Sequence, residues 1–323
     1  MLKEHLQTGA LLILDGAIGT ELERRGAPLE DDASWARTTL THPDLIREVH
    51  EDYLRAGADI ITANTYSSGL HVLEKIGLGD ELEACNAQAV RLALEALDRT
   101  SPTTTTTYVA GSVSAFGNGA MHYCASDGVL HWGEPDQTRL RSNFRRQLEI
   151  LASSGVDLIL LELLCAPIDE TVIAIEEAVG CGVPVWLSLS AYVEPETQEV
   201  LLAGIATNAS GEPDVKGTDK LAQVVDQLKG TDAGALLVMH SEIDVVEPAL
   251  RVMRAHWPGP IGAYPNRTGY WDGQRWIFVA DVTPAAYAQC ASQWVESGAQ
   301  IVGGCCGVGP EHIAALRLAF PRH

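Results

Sequence analysis

The sequence predicts an α/β fold, a single (β/α)8 barrel of the TIM type, from three observations. Eight short apolar runs recur along the 323 residues. Helix-like segments separate the runs. Polar and metal-ligating side chains gather where the runs end, the face on which barrel enzymes keep their active sites.

The runs are LLILD (11–15), ADIITANT (58–65), YVAGSV (108–113), DLILLEL (157–163), VPVWLSLS (183–190), ALLVMH (235–240), IGAYPN (261–266) and AQIVGGCC (299–306). Each is continuous rather than alternating, as strands buried on both faces read. The first helix, 44–56, places Leu45, Ile46, Val49, Tyr53 and Leu54 on one stripe. Pro43 stands at its start and Gly57 at its end. Segments 81–98, 137–153, 168–179, 218–228, 243–256, 284–297 and 310–319 repeat the pattern. A doubly wound open sheet is the alternative for this element order.

No Pro/Gly/Ser-rich linker divides the chain, so residues 1–323 read as one barrel domain. The run TSPTTTTT (100–107) reads as an exposed connector at the N-terminal face. The long loops 114–137 and 191–217 follow strands, which suits an active-site face. The second loop reads as a lid or as a mobile surface loop.

The net charge is −21, from 22 basic and 43 acidic residues, which excludes nucleic acid and anionic membrane as natural partners. No apolar stretch is long enough to span a bilayer, and the N-terminus lacks a signal-peptide pattern. A cytoplasmic location is expected. Seven cysteines at irregular spacing read as reduced thiols rather than a disulfide framework.

The strand ends carry Asp15, Asn64, Thr65, Ser112, Ser114, Glu162, Ser188, Ser190, His240, Ser241, Asn266, Cys305 and Cys306. The sharpest local signal is GGCCG at 303–307. Adjacent thiolates reach one soft metal when the backbone turns sharply, and flanking glycines permit the turn. Thiolates select zinc among cytosolic metals. A pair of small buried thiols is the bland alternative. His240 is the candidate third ligand, against an ordinary histidine that binds nothing. Three protein ligands leave one position open, as in catalytic zinc sites. Such a site activates a thiol for alkyl transfer or a water for hydrolysis. A buried Glu162 serves either, as a general base or as a grip on an ammonium group.

Six segments together resemble the homocysteine S-methyltransferases: LDGAIGTEL (14–22), ITANTY (61–66), GSVSAFG (111–117), LELLCAPIDE (161–170), YPNRTGYWD (264–272) and IVGGCCGVGPEHI (301–313). The resemblance implies a (β/α)8 barrel and a zinc held by three cysteines, two of them Cys305 and Cys306. The third cysteine normally closes strand six in a Gly-x-Asn-Cys motif. Here that place holds His240, preceded by Met239. His240 either replaces the thiolate in a Cys2His Zn2+ site, or Ser241 or a neighbour rearranges around a weak site, or the chemistry has drifted.

The resemblance also assigns substrate contacts to Asp15, Gly16 and Glu162, with Thr65 and Asn266 beside them. Asp15 and Glu162 would hold an amino-acid ammonium, and backbone amides near Gly16 and Ala17 its carboxylate. Ala17 replaces a glycine of the usual opening, and Leu163-Leu164 replaces a Thr-Ile or Thr-Phe pair.

The expected activity is methyl transfer from a small onium donor to a zinc-activated thiol, homocysteine above all, giving methionine. The donor would be S-methylmethionine, a betaine or another sulfonium. Cys305, Cys306 and His240 are the expected catalytic group. Trp35, Tyr66, Phe116, Tyr123, Trp132 and Trp186 are candidates for an onium cage, with core packing the alternative for each. A zinc hydrolase and a drifted metal- or thiol-binding barrel are the rival functions. The C-terminal helix with AALRLAF either serves a homo-oligomer interface or closes the barrel.

Overall fold

The computed structural model describes residues 2–28, 34–100, 106–115, 121–124, 129–132, 137–204, 206–207, 213–214, 217, 219–267, 269–271, 276–278 and 282–322. Eight parallel strands form the central sheet: β1 (Leu12–Ile13), β2 (Ile60–Ala63), β3 (Tyr108–Ser114), β4 (Leu158–Leu164), β5 (Val185–Leu189), β6 (Ala235–Met239), β7 (Ile261–Tyr264) and β8 (Ile301–Val302). Their order is β1-β8-β7-β6-β5-β4-β3-β2. A parallel bridge between Leu14 and Ile60 joins the two ends. The Asp15 N–H donates to the Ile60 carbonyl at 2.9 Å, and the Asp59 N–H to that of Ile13 at 2.7 Å. The sheet is thus a barrel, as the element order predicts.

Among the described residues, eight of the helices alternate with the strands: α1 (Pro43–Ala56), α2 (Leu82–Thr100), α3 (Gln137–Ser154), α4 (Val172–Val179), α5 (Leu221–Leu228), α6 (Ile243–His256), α7 (Pro284–Glu296) and α8 (Pro310–Ala319). Each lies close to its expected segment. The segment at 168–179 divides into a 3-10 turn, Ile168–Glu170, and α4. Gly57 ends α1 in the left-handed region, at φ 102°, as a C-terminal glycine does.

Alternation along each strand explains the continuous apolar runs. Ile13, Ile61, Val109, Ile159, Val185, Leu236 and Val302 face the helices. Leu12, Ile60, Tyr108, Leu158, Trp186, Ala235 and Ile301 fill the barrel interior. Both sets are excluded from water, so neither face needs polar residues. The short N-terminal helix Leu2–Gln7, absent from the expected elements, adds Leu2 and Leu6 to the interior cluster.

Towards the strand ends the interior-facing positions turn polar. Along β3 Tyr108 and Ala110 give way to Ser112 and Ser114, and along β4 Leu158 and Leu160 give way to Glu162. A polar floor thus sits on an apolar plug. The long loops after strands carry antiparallel hairpins, Met121–Cys124 with Val129–Trp132 and Ala191–Val193 with Val200–Leu202. The 101–105 part of the threonine-rich run lies outside the described residues. Among those residues, no helix is long and apolar enough to cross a membrane.

Candidate active site

The turn after β8 is built by close approach. An added Cβ on Gly304 would lie 2.0 Å from Val308 Cγ1, and one on Gly303 would lie 2.5 Å from Leu14 Cβ. Strand β8 itself spans two residues, shorter than the sequence run suggests, and Gly303 N–H and Gly304 N–H go on to donate to Ala263 O and Asp15 O at 3.0 and 3.1 Å. The Val308 N–H donates to the Cys305 carbonyl at 3.0 Å, closing the turn. The Cys305 N–H donates to Pro265 O at 2.9 Å, and the Cys306 N–H to Asn266 Oδ1 at 3.2 Å.

This turn sets both thiols against the residue after β6. Cys305 Sγ, Cys306 Sγ and His240 Nδ1 form a triangle with all three edges 3.9 Å long. His240 has φ 46°, in the left-handed region where non-glycine residues are uncommon. Ser190 Oγ donates to the His240 carbonyl at 3.0 Å, which helps hold that conformation. Ser241 Oγ donates to Met239 O and accepts from the Ala191 N–H, at 2.7 and 2.9 Å. Its hydroxyl is thereby committed to the backbone.

A tetrahedral zinc with two sulfur ligands and one nitrogen ligand requires ligand–ligand edges of about 3.5–3.8 Å. The observed triangle is within a few tenths of an ångström of that, so the donor set and spacing fit such an ion. The two thiols titrate as a pair. Cys305 is drawn well below the ordinary thiol range, first by its contact with Cys306 and then by His240. Cys306 is pushed above it by Cys305 and by burial.

Two carboxyls lie beneath. Glu162 is buried; Ser112 Oγ donates to its Oε2, and Tyr264 OH donates to its Oε1 at 2.8 Å. Burial pushes its pKa up to about 7 despite those two donors. Asp15 receives the Thr62 N–H at 2.7 Å and the Thr62 hydroxyl at 2.8 Å. Burial again prevails, and its pKa rises to about 8. The charge of Glu162 opposes ionisation of Asp15, and that of Cys305 opposes ionisation of Glu162. Met239 Sδ accepts from the Leu163 N–H and from Tyr264 OH, at 3.0 and 3.6 Å. The sulfur in the place of the usual asparagine therefore contacts the residue that follows Glu162 and one of its two hydrogen-bond donors.

The remaining expected residues divide. Gly16 packs so closely that a Cβ would lie 2.1 Å from Val308 O. The Ala17 N–H donates to that same carbonyl at 3.1 Å, so this amide is engaged within the protein. Thr65 is wholly buried; its hydroxyl donates to Ser112 O at 2.7 Å and accepts the Ser112 N–H at 3.0 Å. It ties the end of β2 to the strand that supports Glu162. Asn266 grips the backbone of Cys306.

Among the cage candidates, Tyr66 hydrogen-bonds Ser114 and lies within electrostatic reach of Glu162 and Cys305. Trp35 packs on Gly19. Trp186 is instead a core residue, wholly buried beside Leu160 and Ala235. Phe116 and the side chains of Tyr123 and Trp132 lie outside the described residues. Thr62, Ser112 and Tyr264 do most to hold the two acids. The first and last stand in the ITANTY and YPN segments, next to residues that the motifs highlight.

The fold and the cluster define a class: a (β/α)8 barrel with a His-Cys-Cys group of metal-ligand spacing at its C-terminal mouth. The homocysteine S-methyltransferase family model matches residues 12–320, and the chain belongs to that family. It is similar to homocysteine S-methyltransferase 2 of Zea mays, 28% identical, covering 95% of this chain and 89% of that protein. A selenocysteine methyltransferase of Astragalus bisulcatus is also 28% identical, covering 96% and 92%. Among solved structures, the metallated homocysteine methyltransferase MmuM from Escherichia coli superposes with a TM-score of 0.70. It is 26% identical, with 98% of this chain and 99% of that one covered.

Proposed function

We propose that the chain transfers a methyl group from a small onium donor, S-methylmethionine, a betaine or another sulfonium, to the sulfur of homocysteine. The observation that carries this reading is the 3.9 Å triangle of His240, Cys305 and Cys306 above two buried carboxyls. Zinc held by these three residues would lower the pKa of a thiol at the open position, so that it reacts as a thiolate at neutral pH. Asp15 and Glu162 receive the acceptor's ammonium, and burial raises their pKa values to about 8 and about 7, so both ionise more fully once it arrives. Thr62, Ser112 and Tyr264 fix the carboxyl oxygens for that contact.

The acceptor sulfur attacks the methyl carbon, and the donor's carbon–heteroatom bond breaks. The bonding pair stays on the departing sulfur or nitrogen, which loses its positive charge. The thiol proton has already left to solvent. The chain supplies proximity and alignment, which account for much of the barrier reduction in such displacements. With His240 as ligand the two thiolates balance a dication, whereas three would leave one negative charge. Zinc held there would be a stronger Lewis acid for it.

The test combines metal analysis with turnover. Protein purified without chelator should hold about one zinc per chain and should methylate homocysteine with S-methylmethionine or betaine. A zinc-loaded protein that alkylates no thiol with any onium donor sinks the proposal, and hydrolase activity would then favour the rival metal chemistry.

A further inference from the structure

We propose that Arg267 receives the carboxylate of the methyl donor. This rests on the methyl-transfer reading above and goes beyond it by assigning the donor's position.

Three observations converge. The first is position. Arg267 follows Asn266, and its N–H donates to the Cys306 carbonyl at 2.8 Å, which fixes its backbone beside the cysteine pair. The second is rigidity. The guanidinium carbon lies 4.5 Å from the centroid of the Phe278 ring. That ring also covers Gly307, where a Cβ would come within 2.2 Å of Phe278 Cε1. Phe278 thus bridges the cysteine turn and the cation, and the stacking holds the guanidinium in place.

The third is the missing counter-charge. Among the described residues no carboxylate pairs with Arg267, and its buried Nε has no hydrogen-bond partner. The chain carries 43 acidic residues against 22 basic ones, so a merely structural cation has many available partners. Arg317 and Arg322 show the ordinary outcome, both pairing with Asp59. Arg267 remains partly exposed.

A guanidinium presents parallel N–H donors that match a carboxylate. S-methylmethionine and betaine both carry one. The acceptor's ammonium belongs at Asp15 and Glu162, inside the barrel, so the donor approaches from the open side where Arg267 stands. The same positive charge repels an onium without a carboxylate, so Arg267 selects its substrate as well as holding it.

The experiment uses full-length, zinc-loaded protein, R267Q and R267K, with S-methylmethionine and with trimethylsulfonium, which has no carboxylate. In R267Q the KM for S-methylmethionine should rise about 10-fold or more, with kcat and the homocysteine KM retained. R267K should recover part of the loss, and the penalty should be absent with trimethylsulfonium. A rise in the homocysteine KM, or an equal loss with both donors, overturns the assignment. So does a joint fall of kcat and thermal stability. Calorimetric binding of S-methylmethionine separates this from turnover. Wild-type binding that weakens about 10-fold in R267Q supports the proposal even if transfer fails. Equal affinity, or no binding by the wild type, overturns it.

Discussion

Replacing Asp15 by asparagine removes a costly ionisation built into the site. The carboxyl is 3% exposed and accepts two hydrogen bonds from Thr62, which favour the charged form. Burial outweighs them, and the pKa moves from 3.8 to about 8. Between those values the folded protein holds a proton that the unfolded chain has released. Stability therefore falls as pH rises through that window, by about 1.4 kcal/mol for each pH unit from this group alone. From pH 6 to pH 8 the loss is roughly 2 kcal/mol. The carboxamide of the Asp15→Asn variant does not titrate. Like the protonated acid it offers Thr62 one carbonyl oxygen and one donor group, so any difference in hydrogen bonding adds an offset that does not vary with pH. Urea unfolding of zinc-loaded, substrate-free wild type and variant at pH 6, 7 and 8 reads the difference, in which the Glu162 contribution largely cancels. The gap should shift by roughly 2 kcal/mol against the wild type towards pH 8. A gap that stays constant shows that Asp15 is ionised throughout, and the burial argument fails. The reasoning has a functional counterpart. If the acid is protonated in the substrate-free protein and ionised against an ammonium, homocysteine binding near pH 7 releases more protons in the wild type than in Asp15→Asn, where only the thiol proton and that of Glu162 leave. Calorimetry in buffers of different ionisation enthalpy would detect them.

Other outcomes follow from the same geometry. His240→Ala should weaken zinc binding by more than about 100-fold, since even changes behind a ligand cost 10- to 100-fold and Ser241 is committed to the backbone. Competition with a chromogenic chelator measures it, and wild-type retention rules out His240 as a ligand. His240→Cys should keep zinc. Gly304→Ala forces the turn open, because the new Cβ would sit 2.0 Å from Val308 Cγ1. Zinc affinity should fall at least about 10-fold, with about 1–3 kcal/mol of stability lost to overpacking; the same competition and a denaturation curve test both. Thr65→Val strips partners from the Ser112 N–H and carbonyl. It should cost about 2 kcal/mol in urea unfolding, and an unchanged midpoint would refute the bridging role.

The barrel was readable because strands buried on both faces leave uninterrupted apolar runs, and eight such runs separated by amphipathic segments admit few architectures. The length of β8 was not, because Gly303 and Gly304 continue the run in composition while the strand itself stops at Val302. The short plug Leu2–Gln7 offers only two apolar anchors, Leu2 and Leu6, too few for a periodicity to register. In the site, residue types were informative and directions were not. Thr65 and Asn266 stand at strand ends, but their side chains turn to the backbone of Ser112 and Cys306. Trp186 has the right chemistry for a cage, yet its place on β5 puts it in the buried interior.

His240 joins these levels. Its Nδ1, the ring nitrogen nearer the backbone, completes the triangle, so an imidazole occupies the position of a thiol without requiring a longer reach. The left-handed backbone there costs of order 1–3 kcal/mol and persists only where its surroundings over-determine it. Ser190 on the His240 carbonyl and the Asn266 N–H on the Ser241 carbonyl provide that constraint. A histidine that merely filled space would have no reason to keep a strained conformation aimed at two thiols. The exchange also removes one negative charge from a pocket that already buries Asp15 and Glu162. A less negative cup opposes the ionisation of those acids less, and it is their charged forms that an acceptor's ammonium requires.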